Sequence, residues 1–312
     1  MSLSIGIIGT GRVAERHMKA LSRADGAPIV ACMDEDMDIA AEAAVKFPGA
    51  GAYGELDTML SEHDLDAAYI CDRPGQDGEI ELALVERSIP FFAEKPLGED
   101  REAPRRVMDA LEGGELVTGV GYLLRYGDTV EHAREHLSAN SPVLARGCCL
   151  GGAPGPGNAN RTAGGLMLGR TSHVLDLARY LFGEVSAVYC AGREANGNGD
   201  VSACTLIFES GLICEVSSSR SAPKDEVALD VVMEESTVRL CGANSSCRIE
   251  MSNRVEEVNG TDDLFVEQAR AFLRAVEGDT SGLKSTYEDA FSTHLVCCAA
   301  RESMKTGQPV EL

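Results

Sequence analysis

Near its start the sequence reads Gly9-Thr10-Gly11-Arg12-Val13-Ala14, a GxGxxA spacing between a short apolar run and a helical pattern. In that context each small residue has a task. Gly9 permits a tight turn, Gly11 lets backbone approach a pyrophosphate, and Ala14 lets the helix lie close on its strand. The unpaired amides and the dipole at the helix start then favour an anion, with Thr10, Arg12 and Val13 around it. Asp34 follows at the end of the second apolar run, where a carboxylate can accept both hydroxyls of an adenosine ribose. Its neighbours Glu35 and Asp36 are acidic, and no Arg or Lys is near to hold a 2′-phosphate, so NAD is favoured over NADP.

The elements that must position these residues alternate. Strands are expected at 3–9, 28–33, 65–71, 90–93 and 115–122, with helices at 12–22, 39–47, 79–87 and 102–111. Strands separated by helices of about three turns imply βαβ units and a parallel sheet. After Tyr126 the pattern changes. Helices are expected at 129–137, 165–182, 265–276 and 287–304, and strands at 143–150, 185–191, 202–209, 211–219, 227–234 and 236–241, with a Gly/Pro/Asn-rich loop from 151 to 160. The fold class is therefore α/β: a parallel Rossmann sheet over 1–121, then an α+β domain over 122–312 with a mostly antiparallel, open-faced sheet.

The 28 Lys and Arg against 50 Asp and Glu leave a net charge of −22, which speaks against nucleic acid because phosphate contacts need clustered positive charge. No run approaches the roughly 20 apolar residues that cross a bilayer, so no membrane association is expected. The start goes straight into a strand-like run without an export signal, which points to the cytoplasm. The eleven cysteines are scattered, include no CxxC, and many sit in apolar runs. They are expected as buried thiols, with no metal site.

Beyond the glycine loop, the chain resembles the Gfo/Idh/MocA oxidoreductases (glucose–fructose oxidoreductase, inositol dehydrogenase and relatives). The likeness is carried by Glu94-Lys95-Pro96 after a Rossmann strand, by Gly121 to Tyr126, by Gly164 to Leu168, by His173-Val174-Leu175-Asp176, by Leu181-Phe182-Gly183 and by Ala299 to Val310. It covers essentially the whole chain.

The resemblance implies oxidation of a secondary alcohol of a sugar, sugar derivative or cyclitol, with hydride passing to nicotinamide. Such a site needs a base for the proton and a cation for the developing charge on oxygen. Lys95 matches the polarising residue, held by a cis Lys95–Pro96 peptide, and His173 matches the base. Asp72, Arg73, Pro74, Glu94 and Lys95 would border the cofactor. Tyr122, Arg125, Arg161, Lys95 and His173 would border the substrate, the two arginines as bidentate partners for an anion or hydroxyls. Asp176 would orient rather than react.

Two departures stand out. The family usually carries an Asp one turn before the histidine, where this chain has Gly169. After the third strand Asp72 and Asp77 replace a Thr-Pro and a His. They leave two other outcomes open: a family member with altered or lost catalysis that binds NAD as a regulator, or an NAD-dependent glycoside-cleaving enzyme. The family also implies a homodimer or homotetramer built on the open sheet face.

Overall fold

The computed structural model describes residues 3–24, 27–71, 78–151, 165–193 and 200–312. The chain divides into two compact units. The first takes Met1–Gly98, Glu102–Leu123 and Asp263–Phe291, and the second Glu99–Arg101, Leu124–Asp262 and Ser292–Leu312.

The first unit is built on β1 (Ile5–Ile8), α1 (Arg12–Arg23), β2 (Ile29–Met33), α2 (Met37–Ala44), β3 (Gly51–Tyr53), α3 (Leu56–Glu62), β4 (Ala67–Ile70), α4 (Glu79–Glu86), β5 (Phe91–Ala93), α5 (Glu102–Leu111) and β6 (Thr118–Val120). Its six strands are ordered β3-β2-β1-β4-β5-β6, and every pair is parallel. The central strands are apolar without alternation because helices cover both faces. Ile5, Ile7 and Ile8 have no exposed surface. Ile8 pairs with Met33 on one side and Ile70 on the other, so all three strand ends reach the same edge of the sheet. Ligands of open α/β sheets bind along that edge.

The second unit contains α6 (Asp128–Ser138), β7 (Pro142–Leu150), α7 (Ser172–Phe182), β8 (Val185–Arg193), β9 (Val201–Phe208), β10 (Ile213–Ser219), β11 (Glu226–Met233), β12 (Ser236–Cys241), β13 (Ser246–Met251) and β14 (Arg254–Asn259). The chain then returns to the first unit with α8 (Leu264–Val276). It crosses again within α9 (Tyr287–Thr306) and ends on β15 (Val310–Glu311). The nine-stranded sheet is ordered β14-β13-β12-β11-β7-β10-β9-β8-β15; β7 and β10 run parallel and the other pairs antiparallel. Residues of β9 alternate, with Ser202, Cys204, Leu206 and Phe208 buried and Ile207 exposed. That is the pattern of a sheet with one covered and one open face.

Three expectations are corrected. The division at 121/122 marks only the first crossing, because α8 belongs to the first unit. There Val266, Ala269, Phe272 and Leu273 join a core containing Ile5, Ile7, Tyr69 and Phe92. The continuous helix expected over 165–182 is interrupted by a π-helical turn, Met167–Thr171, that leads into α7. Finally, not all cysteines are thiols. Cys190 on β8 faces Cys204 on β9 in register, and the two sulfurs form a disulfide. Among the described residues, no helix is long and apolar enough to cross a membrane.

Candidate active site

In the first unit the glycine loop turns between β1 and α1. Gly9 has φ of 76°, a left-handed value that glycine adopts without a Cβ clash, and its amide donates to the Met33 carbonyl at 2.8 Å. Gly11 is the N-cap of α1 and has no side chain with which to cap the first-turn amides. A Cβ at Gly11 would meet no atom of the described residues within 4 Å, so backbone there is open to close approach. Arg12 and Val13 lie exposed at the helix start. Uncapped amides beside open space are suited to a pyrophosphate.

Asp34, just past β2, is half-buried. Its Oδ2 accepts from the Thr10 amide at 2.9 Å and the Thr10 hydroxyl at 3.1 Å, and its Oδ1 from the Asp36 amide at 3.1 Å. The aspartate thus also clamps the glycine loop to β2, a task its place in the sequence did not announce. Thr10 is only 5% exposed and turned toward Asp34, so it shapes the loop from within. A carboxylate has about four acceptor sites, which leaves capacity for ribose hydroxyls. The loop, its open amides and this acidic side chain fit a dinucleotide.

Glu94 and Lys95 follow β5 at the ligand-binding edge of the sheet, and the Lys95–Pro96 peptide is cis. Glu94 is pinned twice: Oε1 lies 2.7 Å from His17 Nε2, and Oε2 accepts from the Lys95 amide at 3.1 Å. Gly121 leaves room for this carboxylate, since a Cβ there would stand 2.8 Å from Oε1. Tyr122 is 2% exposed. Asp72, Arg73 and Pro74 lie outside the described residues.

In the second unit the π turn carries Gly169 and delivers His173 into the first turn of α7, half-buried. The Ser172 hydroxyl donates to the Leu168 carbonyl at 2.7 Å and Thr171 to the Leu166 carbonyl at 3.3 Å, side-chain bonds back onto the widened turn. Single π turns inside helices recur at functional sites.

One turn beyond His173, Asp176 is 1% exposed and holds Arg125, itself 2% exposed. The guanidinium donates from Nε to Oδ2 at 2.8 Å and from Nη2 to Oδ1 at 2.6 Å, while Thr293 donates to Oδ1 at 2.8 Å. Arg125 also stacks over Tyr180, 5.1 Å from its centroid. Burial, together with the hydrogen bond to Glu131, pushes the Tyr180 phenol upward. Arg125, expected to border substrate, has its Nε and Nη2 engaged by this buried carboxylate. Arg161 lies outside the described residues.

Residues 3–122 match the family described as the oxidoreductase family with an NAD-binding Rossmann fold (GFO/IDH/MocA), and residues 142–239 match its C-terminal domain. Myo-inositol 2-dehydrogenase of Thermotoga maritima is 27% identical over 231 residues, covering 70% of this chain and 69% of that protein. An oxidoreductase from Agrobacterium radiobacter, solved with NAD+, L-tartaric acid and magnesium, superposes with a TM-score of 0.88 at 17% identity over 100% of this chain and 98% of its own. Levoglucosan dehydrogenase, solved with NADH and levoglucosan, gives a TM-score of 0.88 at 19% identity, covering 100% of this chain and 99% of its own.

Proposed function

Because the chain belongs to the GFO/IDH/MocA family of NAD-binding oxidoreductases and is a dehydrogenase acting on CH–OH donors, we propose that it oxidises a secondary ring hydroxyl of a sugar, sugar derivative or cyclitol, with Lys95 and His173 as its catalytic pair. One observation carries this assignment. The uncapped glycine loop after β1 and the lysine after β5 share one edge of one parallel sheet. This supports the reading, because a dinucleotide binds along that edge of such a sheet.

NAD, when bound, supplies the hydride acceptor. Gly9, Gly11 and the first-turn amides of α1 would hold its pyrophosphate and Asp34 its ribose, with Asp72 to Pro74 and Glu94 bordering the nicotinamide end. The chain's own work is on the proton and the charge. As the carbinol carbon loses hydride, its oxygen must lose a proton. Lys95 holds the negative charge that develops on that oxygen, and His173, whose imidazole exchanges protons near neutrality, accepts the proton. The relatives named for inositol and levoglucosan act on ring polyols, which supports that substrate class.

Lys95→Ala should lower turnover of the best substrate in a cyclitol and sugar panel by about 10³-fold or more while NADH affinity changes little, since the lost contact is one made as charge develops. Near-native turnover in Lys95→Ala would overturn the assignment. Gly169, in the turn that leads to His173, favours a second reading, an NAD-binding regulator. NADH binding without turnover of any compound in the panel would support it.

The open face of the nine-stranded sheet fits a second copy of the chain, as a homodimer or homotetramer. Across it the registered row Glu215, Arg146, Asp230, Arg239, Arg248 and Glu257 mixes acidic and basic residues, so the two copies can match opposite signs. The adjacent row Ile207, Ile213, Leu144 and Val232 is apolar, and Ile207 and Ile213 are each more than two-fifths exposed. Sedimentation should show an oligomer that Arg146→Glu weakens; a wild-type monomer at micromolar concentration would overturn this.

A further inference from the structure

His17 has no exposed surface, yet it stands on a helix whose other buried residues are Ala14, Met18, Ala20 and Leu21. Its ring is enclosed by Tyr69, Phe92 and Phe265, with centroids 5.5, 5.2 and 5.1 Å away. Among the described residues Nδ1 has no hydrogen-bond partner, and Nε2 points at Glu94 Oε1 from 2.7 Å. A carboxylate accepts, so the proton of this bond sits on Nε2. The other oxygen of Glu94, a side chain 12% exposed, accepts the Lys95 amide. Burying an imidazole and a carboxylate against an aromatic core is costly, whereas a Leu or Met at position 17 would pack there without that cost.

We propose that His17 is a positioning residue for Lys95: through the Glu94 carboxylate it fixes the main chain from which the lysine side chain springs. The link has a second consequence. Six residues before His17, the same helix is capped by Gly11, in the loop proposed to hold the pyrophosphate. The helix is thus joined to the backbone amide of Lys95 through one hydrogen-bonded pair. Gly121 belongs to the same device, because any side chain there would displace the Glu94 carboxylate. The inference rests on the proposed role of Lys95, but its test does not.

The direct readout is the acetylation rate of Lys95 by a succinimidyl acetate, followed by peptide mass spectrometry, with Lys19, Lys46 and Lys284 as internal controls. In His17→Leu the Lys95 rate should change by about fivefold or more, the control lysines should stay within about twofold, and the NADH dissociation constant should move less than about threefold. Turnover should fall about 10- to 100-fold, because misplacement by about 1 Å is enough for that. His17→Gln, which can present an amide N–H toward Glu94, should recover most of both losses. Glu94→Gln can satisfy only one of its two donors with a carbonyl, so it should reproduce the effect, and combining it with His17→Leu should add little. If His17→Leu does not fold, His17→Gln and Glu94→Gln carry the same comparison. A folded variant lacking the pair in which Lys95 is acetylated at the wild-type rate overturns the positioning role. Turnover that survives Lys95→Ala would instead overturn the catalytic assignment and leave the acetylation result standing.

Discussion

Replacing Asp176 with Asn tests a buried ion pair of the second unit. The substitution keeps the volume but removes the charge facing a guanidinium that is 2% exposed and bonded at 2.8 and 2.6 Å. Desolvation of Arg125 is then no longer offset, and breaking such a pair from one side costs about 3–5 kcal/mol. For a cooperative unit of roughly 150–250 residues, 1 kcal/mol moves the melting temperature by about 2–4 °C, so a fall of about 6–20 °C is expected. Calorimetry should show it, with NADH fluorescence reporting that the first unit is intact. Turnover should fall too, because His173 and Asp176 share α7. The paired replacement Arg125→Met with Asp176→Leu removes both charges and should lose less than half as much. If Asp176→Asn melts within about 2 °C of wild type, the Arg125–Asp176 pair does not hold this helix.

Asp34→Ala should raise the NADH dissociation constant about 10- to 100-fold by titration, since it removes charged hydrogen bonds worth about 1.5–3 kcal/mol and releases Thr10 from the loop. Burial, opposed by the hydrogen bond to the Asp100 carbonyl, holds His294 below its ordinary 6.5. Below that value the unfolded chain binds a proton that the folded chain refuses, so this contribution to stability is complete above pH 6.5 and declines as the solution is acidified. In His294→Gln the melting temperature should depend less on pH between about 7 and 5 than in wild type; an unchanged slope would remove His294 as the cause.

The parallel sheet was legible because its central strands are unbroken apolar runs separated by amphipathic helices. What escaped is chemically plain. β3 is Gly-Ala-Tyr, with every residue half-buried at the sheet edge, and α3 buries only Met59. Neither carries the hydrophobic period by which elements are recognised. β13 and β14 were hidden by charge, since Arg248, Glu250, Arg254 and Glu256 alternate with few buried residues near the end of the sheet. The return of α8 to the first unit is of another kind. Its apolar stripe announces a helix that packs, but nothing in a stripe names the surface it packs on.

The same distinction separates the parts of the site. Gly9, Gly11 and Asp34 were readable because their chemistry is local: a backbone angle, a set of amides at a helix start and an acid at a strand end. Lys95 and His173 came from the family's order of motifs. Arg125 and His17 depend on partners far along the chain, 51 and 77 residues away. An arginine before a helix reads equally well as a ligand for substrate or for a buried aspartate, and only the fold decides between them. A histidine on an apolar helix face reads as a core residue until Glu94 appears opposite its Nε2. The buried network around Asp176 is separable from chemistry because its polar groups face one another, whereas a Cβ at Gly11 would meet no atom of the described residues within 4 Å. That contrast is the physical reason for proposing anchorage for Arg125 and Asp176 and cofactor binding for the loop.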